Sequence, residues 1–332
     1  MRVALPAIAA QLDDGDELVV VDNDSSDGTP DVVRELAPRA IVVEAGANLG
    51  FAAGSNRGAS LASGELLCFL NPDAVPAPGF REAIERPLAD GRGWAAWQGL
   101  VTAEGGSVVN TYGGVVHFTG IAWAGGAGEP VDRWEGWTGY GPTIEPGFVS
   151  GACLAIPRAT FERVGGFAER FFLYHEDVDL SLRLRLGGQR LGVEPSARVE
   201  HAYEFAKGPA KWRRLEANRW ATLVRTYPAA LLALLAPALV ATELALIPVA
   251  AAGGWLGQKL LAWGDTVRDL GRLLRERRQI QAGRAIGAAE FARPFTADLA
   301  SPYLGRAGHS RALRSALRGY WSVVLRLLGS TD

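Results

Sequence analysis

Two apolar runs in the amino-terminal half end abruptly in acids, and a third run begins with them. Leu18 to Val21 is a β-branched run that stops at Asp22-Asn23-Asp24, and Leu66 to Leu70 stops at Asn71-Pro72-Asp73. Short apolar runs bounded by turn residues read as buried strands. The third segment reverses the order, with Glu176, Asp177 and Asp179 ahead of Val178, Leu180, Leu182, Leu184 and Leu186. Acids favour the positive end of a helix dipole, so a helix is predicted to open there. Pro30, Val32, Val33 and Leu36 predict another, with Pro30 in its first turn and Asp27 or Thr29 as its cap. Helices are also predicted over residues 1–12, from Val3, Leu5, Ile8 and Leu12, and over 210–227, from Trp212, Leu215, Trp220 and Leu223. Strands alternating with helices indicate an α/β fold.

A carboxylate at the carboxyl end of a strand carries chemical meaning, because ligands of open α/β sheets bind at that edge. Asp73 beside the chain-turning Pro72 suits a metal that carries a phosphate group. The same residues make an ordinary Asx turn, and for this segment alone both readings stay open. Asp22, Asp24 and Ser26 alternate as in a calcium loop, but the glycine falls one place late and Val33 stands where that loop requires a glutamate. Glycines 50, 54 and 58 do not follow GxGxxG, which excludes a dinucleotide site. The acids at 176, 177 and 179 follow an aromatic stretch with His175, so catalysis competes there with helix capping.

Five segments in order, VVDNDSSDGT (20–29), NLGFAAGSNRG (48–58), FLNPDAVP (69–76), SGACLAIPRATFERVGGFAERFFLYHEDVDLSLRLRLGG (150–188) and VEHAYEF (199–205), resemble the family 2 glycosyltransferases of GT-A fold. Within these the chain is similar to the rhamnosyltransferase-like enzymes, over residues 1–228. The resemblance implies a mixed, mainly parallel sheet with helices on both faces, a nucleotide-diphospho-sugar donor and a divalent metal, Mg or Mn. It implies that Asp22 and Asn23 contact base and ribose, and that Asn48, Gly54 and Asn56 stand beside the nucleotide. Asn71-Pro72-Asp73 takes the place of an Asp-x-Asp motif, which leaves Asp73 as the main carboxylate for the metal. Asp177 aligns with the general base of an inverting transfer, and Glu176 with a group that orients or binds acceptor.

His201 suits a further metal or phosphate contact, or else a strand-end histidine bonded to backbone. Asp179 and Arg183 read as a structural pair at helical spacing, and Gly165-Gly166-Phe167 as a turn presenting the acceptor site. Trp123, Trp134, Trp137 and Tyr140 are aromatics for sugar stacking or for core filling. Family members open with a strand ahead of the first helix; that strand is missing here, and an upstream start is expected.

The 332 residues leave room for about two domains. Only three of the 34 basic residues are Lys, a bias of high-GC bacterial genes. Cys68 and Cys153 lie in apolar runs without metal spacing and read as buried free thiols of a reducing compartment. No signal-peptide pattern opens the chain. Charge is unevenly divided: from Trp255 onward 13 basic residues stand against 6 acidic, while the remainder carries 21 against 30.

Residues 229–252 are almost wholly apolar but contain Pro237, Glu243 and Pro248. The length suffices for a bilayer, which needs about 20 residues, yet a central Glu and two prolines favour a broken or re-entrant segment in one leaflet. Arg268, Arg272, Arg275, Arg277 and Arg278 beside Leu270, Leu273 and Leu274 predict a basic amphipathic helix suited to anionic lipid, or a solvated helix packed on the catalytic part. Glu216 replaces the Gln of the Gln-x-x-Arg-Trp motif of processive relatives, so processivity is not inferred.

The expected organisation is a catalytic domain over 1–228 and a membrane-associated helical region over 229–332, at the cytoplasmic face of the bacterial inner membrane. The expected reaction moves rhamnose, from its dTDP form, to a lipid-linked or cell-surface glycan. A hexose from a UDP or GDP donor is the alternative, with a nucleotidyltransferase or a non-catalytic membrane scaffold as readings from other classes. Nucleic acid is disfavoured as a partner, because the apolar stretch gives no reading surface. The oligomeric state stays open.

Overall fold

The computed structural model describes residues 1–134, 145–201, 208–300 and 310–329. Two compact units share the chain: 1–114, 124–181 and 190–203 make the first, and 115–123, 182–189 and 204–332 the second.

The first unit opens with α1 (Ala4–Ala9), β1 (Val19–Asp22), α2 (Thr29–Leu36), β2 (Ile41–Glu44), α3 (Gly50–Ala59), β3 (Leu66–Leu70) and β4 (Val75–Pro76). It continues through α4 (Phe80–Ala89), β5 (Trp94–Ala103) and β6 (Val108–Thr111), whereas the short β7 (Gly114–Val116) and β8 (Ala122–Ala124) fall mostly in the second unit. Then follow β9 (Cys153–Pro157), α5 (Arg158–Val164), α6 (Glu176–Leu186) and β10 (Arg190–Glu200), α6 ending in the second unit. β1 and β2 pair in parallel as a sheet of their own, whereas the larger sheet runs β3-β9-β5-β10-β4 with β6 on β5.

The sheets are mixed, as expected, with one reversed strand at the centre. β3, β5 and β10 share one direction, but β9 runs antiparallel between β3 and β5, so that only β5 and β10 pair in parallel in this sheet. Cys153 to Ile156 are all buried, which suits β9 to a central place. Trp97, Phe80, Ile84, Val101 and Val199 form the main core, and the Trp97 indole donates to the Ile84 carbonyl at 2.8 Å. A second cluster joins Leu5 of α1 to Val33 and Ala37 around α2. α2 has Gly28 in the N-cap position with no side-chain cap, against expectation; Asp27 instead accepts from the Thr29 amide at 3.1 Å in the turn just ahead of the helix. Cys153 is buried but Cys68 is exposed, against expectation.

The second unit is helical: α7 (Ala210–Thr226), α8 (Ala229–Ala252), α9 (Leu256–Ala282), α10 (Ala288–Ala292) and α11 (Arg311–Gly329). α8 is one continuous helix rather than a broken segment. Pro237 and Pro248 both fall at exposed positions, where the ring meets no packed neighbour even though each removes one N–H from the ladder. Glu243 of α8 accepts from Lys259 Nζ at 2.8 Å and Trp263 Nε1 at 2.7 Å, and pairs with Arg219. Glu216 accepts from Lys259 at 2.6 Å and Arg219 at 3.2 Å, completing a network on α7, α8 and α9 in which both cations are buried. Arg277 also departs from expectation. Its guanidinium donates to the carbonyls of Val224 and Tyr227 at 2.7 and 2.6 Å, capping α7 instead of facing lipid.

Candidate functional site

All ten residues singled out in the sequence lie in the first unit. Asp22 closes β1 and is buried; its Oδ2 accepts from the Ser25 amide at 3.1 Å, and its Oδ1 has no partner. Asn23 donates to the Gly50 carbonyl at 3.1 Å and likewise keeps a buried Oδ1 without partner. Buried acceptors left open in this way are costly unless a ligand supplies donors. Asn23, next to Asp22 in the chain, borders a polar cavity of ≈ 590 Å³ lined also by Ser25, Asn48, Gly50, Phe51 and Phe172 among others.

α3 starts at this cavity. Gly50 has φ 76°, and a Cβ there would lie 2.5 Å from the Phe172 carbonyl oxygen, which accepts from the amides of Phe51 and Ala52 at 2.7 and 3.3 Å. Only glycine permits that approach. Asn48 accepts from the Gly50 amide at 3.0 Å. Gly54 packs behind the wall, where a Cβ would fall 3.2 Å from Asn23 Nδ2. Asn56 stands outside the cavity lining. Its amide makes a two-way link to the Phe167 backbone, at 2.8 and 2.9 Å, and so ties α3 to the turn after Gly165-Gly166.

The second focus lies where β3 and β10 end. Asp73 Oδ1 and Asn71 Nδ2 both address His201 Nε2, at 3.2 and 3.3 Å, with His201 buried and Asp73 62% exposed. The His201 amide also donates to Thr102 at 2.8 Å, so the backbone-bonded reading of this histidine holds beside the ligand reading. Among the described residues no three His, Cys, Asp or Glu side chains group to hold a metal. Asp73 and His201 nonetheless form a converging oxygen and nitrogen pair, which fits a cation whose other ligands are phosphate oxygens and water.

The third focus is the start of α6. The Asn71 amide donates to Ala152 at 3.1 Å, and the adjacent Gly151 amide donates to Asp177 Oδ2 at 3.0 Å, so one strand end carries both carboxylate sites. Asp177 Oδ1 accepts from the Val178 amide at 2.8 Å. Burial pushes the Asp177 carboxyl above its usual range, with the N–H donors opposing. Glu176 is buried, keeps Oε2 without partner, and is pushed well above the usual range by burial first and by the Asp177 charge second. Two neighbouring carboxylates with unequal surroundings suit a proton holder and a base. Phe172, Tyr174 and His175 all have positive φ, a conformation that non-glycine residues rarely hold and that concentrates at functional sites.

Asp179 and Arg183 are buried, consistent with a structural part. Trp123 is buried in β8; Trp137 and Tyr140, with the Trp134 side chain, lie outside the described residues.

The sequence profile described as Glycosyl transferase family 2 matches residues 1–115. The N-acetylglucosaminyl-diphospho-decaprenol L-rhamnosyltransferase of Mycobacterium tuberculosis is 32% identical over 222 residues, covering 58% of this chain and 69% of that protein. The chain belongs to glycosyl transferase family 2. This family 2 glycosyltransferase is similar as well to the O-antigen biosynthesis protein RfbC of Myxococcus xanthus, 32% identical over 198 residues, 56% of this chain and 15% of that one. The solved structure of GalNAc-T7 with UDP, GalNAc and Mn²⁺ is 16% identical with a TM-score of 0.49, over 66% of this chain and 44% of that chain. As a member of that family the glycosyltransferase has the GT-A fold, mixed in its strands as described, and its relatives set it with rhamnosyltransferase-like members.

Sequence reasoning missed the Gly151 amide and the left-handed run at 172–175. A backbone donor leaves no residue-type signal, and Phe, Tyr and His are not the residues that advertise positive φ.

Proposed function

We propose that this glycosyltransferase moves a deoxyhexose with inversion, rhamnose from dTDP-rhamnose, to a hydroxyl of a lipid-linked or cell-surface glycan. The observation that carries the reading is the Glu176 and Asp177 pair held beside Gly151 and Phe51, the latter lining the polar cavity. The open acceptors of Asp22 and Asn23 are matched by the N–H of a pyrimidine base and by ribose hydroxyls.

The acceptor hydroxyl gives its proton to a remaining lone pair of Asp177 as its oxygen bonds to the anomeric carbon and the bond to the diphosphate breaks. Glu176, protonated, donates to the acceptor sugar and orients it. Asp73 and His201 would hold a divalent cation, Mg or Mn, which would supply positive charge to the leaving diphosphate. The name of the M. tuberculosis relative supports a lipid-diphosphate acceptor. On this reading residues 1–228 bind donor and perform the transfer, and 229–332 hold the enzyme to the cytoplasmic face of the inner membrane.

The test is thermal unfolding with dTDP-rhamnose, UDP-glucose, UDP-galactose and GDP-mannose, each with and without Mn²⁺. Metal-dependent stabilisation by dTDP-rhamnose is the expected result. A response to a UDP or GDP sugar instead overturns the donor, and no response to any overturns the reading.

A further inference from the structure

α8 is built inside out. Every exposed position along it is Ala, Val, Leu or Pro, and Val240, Leu244 and Val249 are 60%, 62% and 51% exposed. A helix on a water-facing surface shows the opposite pattern, apolar inward and polar outward. Here the helix's lone charge, Glu243, is turned into the network with Arg219, Lys259 and Trp263. Leu231, Leu235, Leu239 and Ala250 are buried on the same side as that charge. An outer face with no polar group at all is larger than the scattered apolar exposure of ordinary soluble proteins.

α9 extends the pattern and then changes it. Leu260, Leu261 and Val267 are exposed ahead of Arg268, and beyond it Arg272, Arg275 and Arg278 are exposed with Leu270 and Leu274 between them. Along one helix the surface therefore passes from hydrocarbon-like to cationic, the order met on moving from acyl chains to phosphate headgroups.

We infer that the outer face of α8, with the first half of α9, lies in the acyl layer of one leaflet of an anionic bilayer, the helix running along the membrane rather than across it. The inference rests on the lipid-linked acceptor reading and gives it a geometry. A crossing is disfavoured because one stripe of α8, Leu231, Leu235, Leu239 and Ala250 with the ion-paired Glu243, packs against the rest of its unit, and a transbilayer pose would carry the Arg219 and Lys259 network into hydrocarbon. The network is the device that makes the pose possible, since it keeps the charge of Glu243 off the lipid side.

Flotation of the full chain with phosphatidylethanolamine and phosphatidylglycerol vesicles tests the surface. Wild type is expected to float, and the Leu244→Glu, Val249→Glu double variant to lose about tenfold or more in partitioning, with unchanged thermal unfolding and donor response. Equal flotation of the variant overturns the inference. So does a wild type that stays with the soluble fraction and runs as a dimer, which would make a second copy the cover of this face.

Ala229→Cys and Ala252→Cys, each in a Cys68→Ala background, test the pose in sealed vesicles. Labelling of both by an impermeant maleimide added outside is expected, and protection of one end alone would mean a crossing. Flotation without any donor response would sink the catalytic reading and leave the surface standing.

Discussion

Gly151 donates its backbone N–H to Asp177 Oδ2 at 3.0 Å, and a Cβ on that glycine would come within 3.0 Å of the Phe51 ring. The carboxylate is thus aimed by main chain from a residue with no room for a side chain. The same ring lines the cavity, so the reactive group and the donor pocket share a wall.

Replacing Asp177 by Asn keeps the shape and the Gly151 contact but removes the proton acceptor. Turnover should fall about 10²–10⁴-fold, while donor-induced thermal stabilisation persists. Unchanged turnover, or a matching loss of donor binding, would contradict the role.

Burial raises the Asp177 carboxyl, so the acid limb of kcat/KM should lie above the ordinary aspartate range, with activity lost as pH falls through it. Glu176 is raised further by burial and by the Asp177 charge. Its folded state binds the proton more tightly than the unfolded chain, so it is neutral for stability at low pH and destabilises as pH rises from the unfolded value towards the folded one. Glu176→Gln should therefore gain stability over wild type above the ordinary glutamate range and flatten the slope there, as read by urea unfolding across pH. A variant less stable than wild type at high pH would refute this.

Asp73→Ala is expected to remove the Mn²⁺-dependent part of donor binding, at least about tenfold or 1.4 kcal/mol. His201→Gln should do so in part, because its Nε2 faces the same carboxylate. Calorimetric titration of donor with and without metal decides. A metal response that survives in both variants would place the cation elsewhere.

Lys259 is fully buried between Glu216 and Glu243. Lys259→Met leaves two carboxylates facing one arginine, and removing one partner of a buried ion pair costs about 3–5 kcal/mol. Denaturant unfolding should register that loss, and a change under 1 kcal/mol, roughly the worth of a surface pair, would mean that the network is solvated.

The places of Asp22 at the end of β1, Asp73 just beyond β3 and Asp177 at the start of α6 were legible, because each stands where an apolar run meets acids, and such a break is a one-dimensional signal. The insertion of β9 between β3 and β5 was not, since a continuously apolar strand does not name its neighbours. Asn56 misled because a polar residue in a glycine-spaced segment looks the same whether it meets a ligand or, as here, the backbone of Phe167. Glu243 looked like a liability in an apolar helix because its partners, Arg219 and Lys259, come 24 residues before and 16 after it. Composition weighs the charge without its company.

That company also governs where the polypeptide can be cut. Arg219 and Glu216 belong to α7, ahead of residue 228, whereas Glu243 and Lys259 follow it. A fragment ending at 228 keeps a buried guanidinium and drops one of the two carboxylates that neutralise it. The network therefore ties α7 to α8 and α9, and a truncation at residue 228 is expected to lose stability by uncovering Arg219 and removing Glu243.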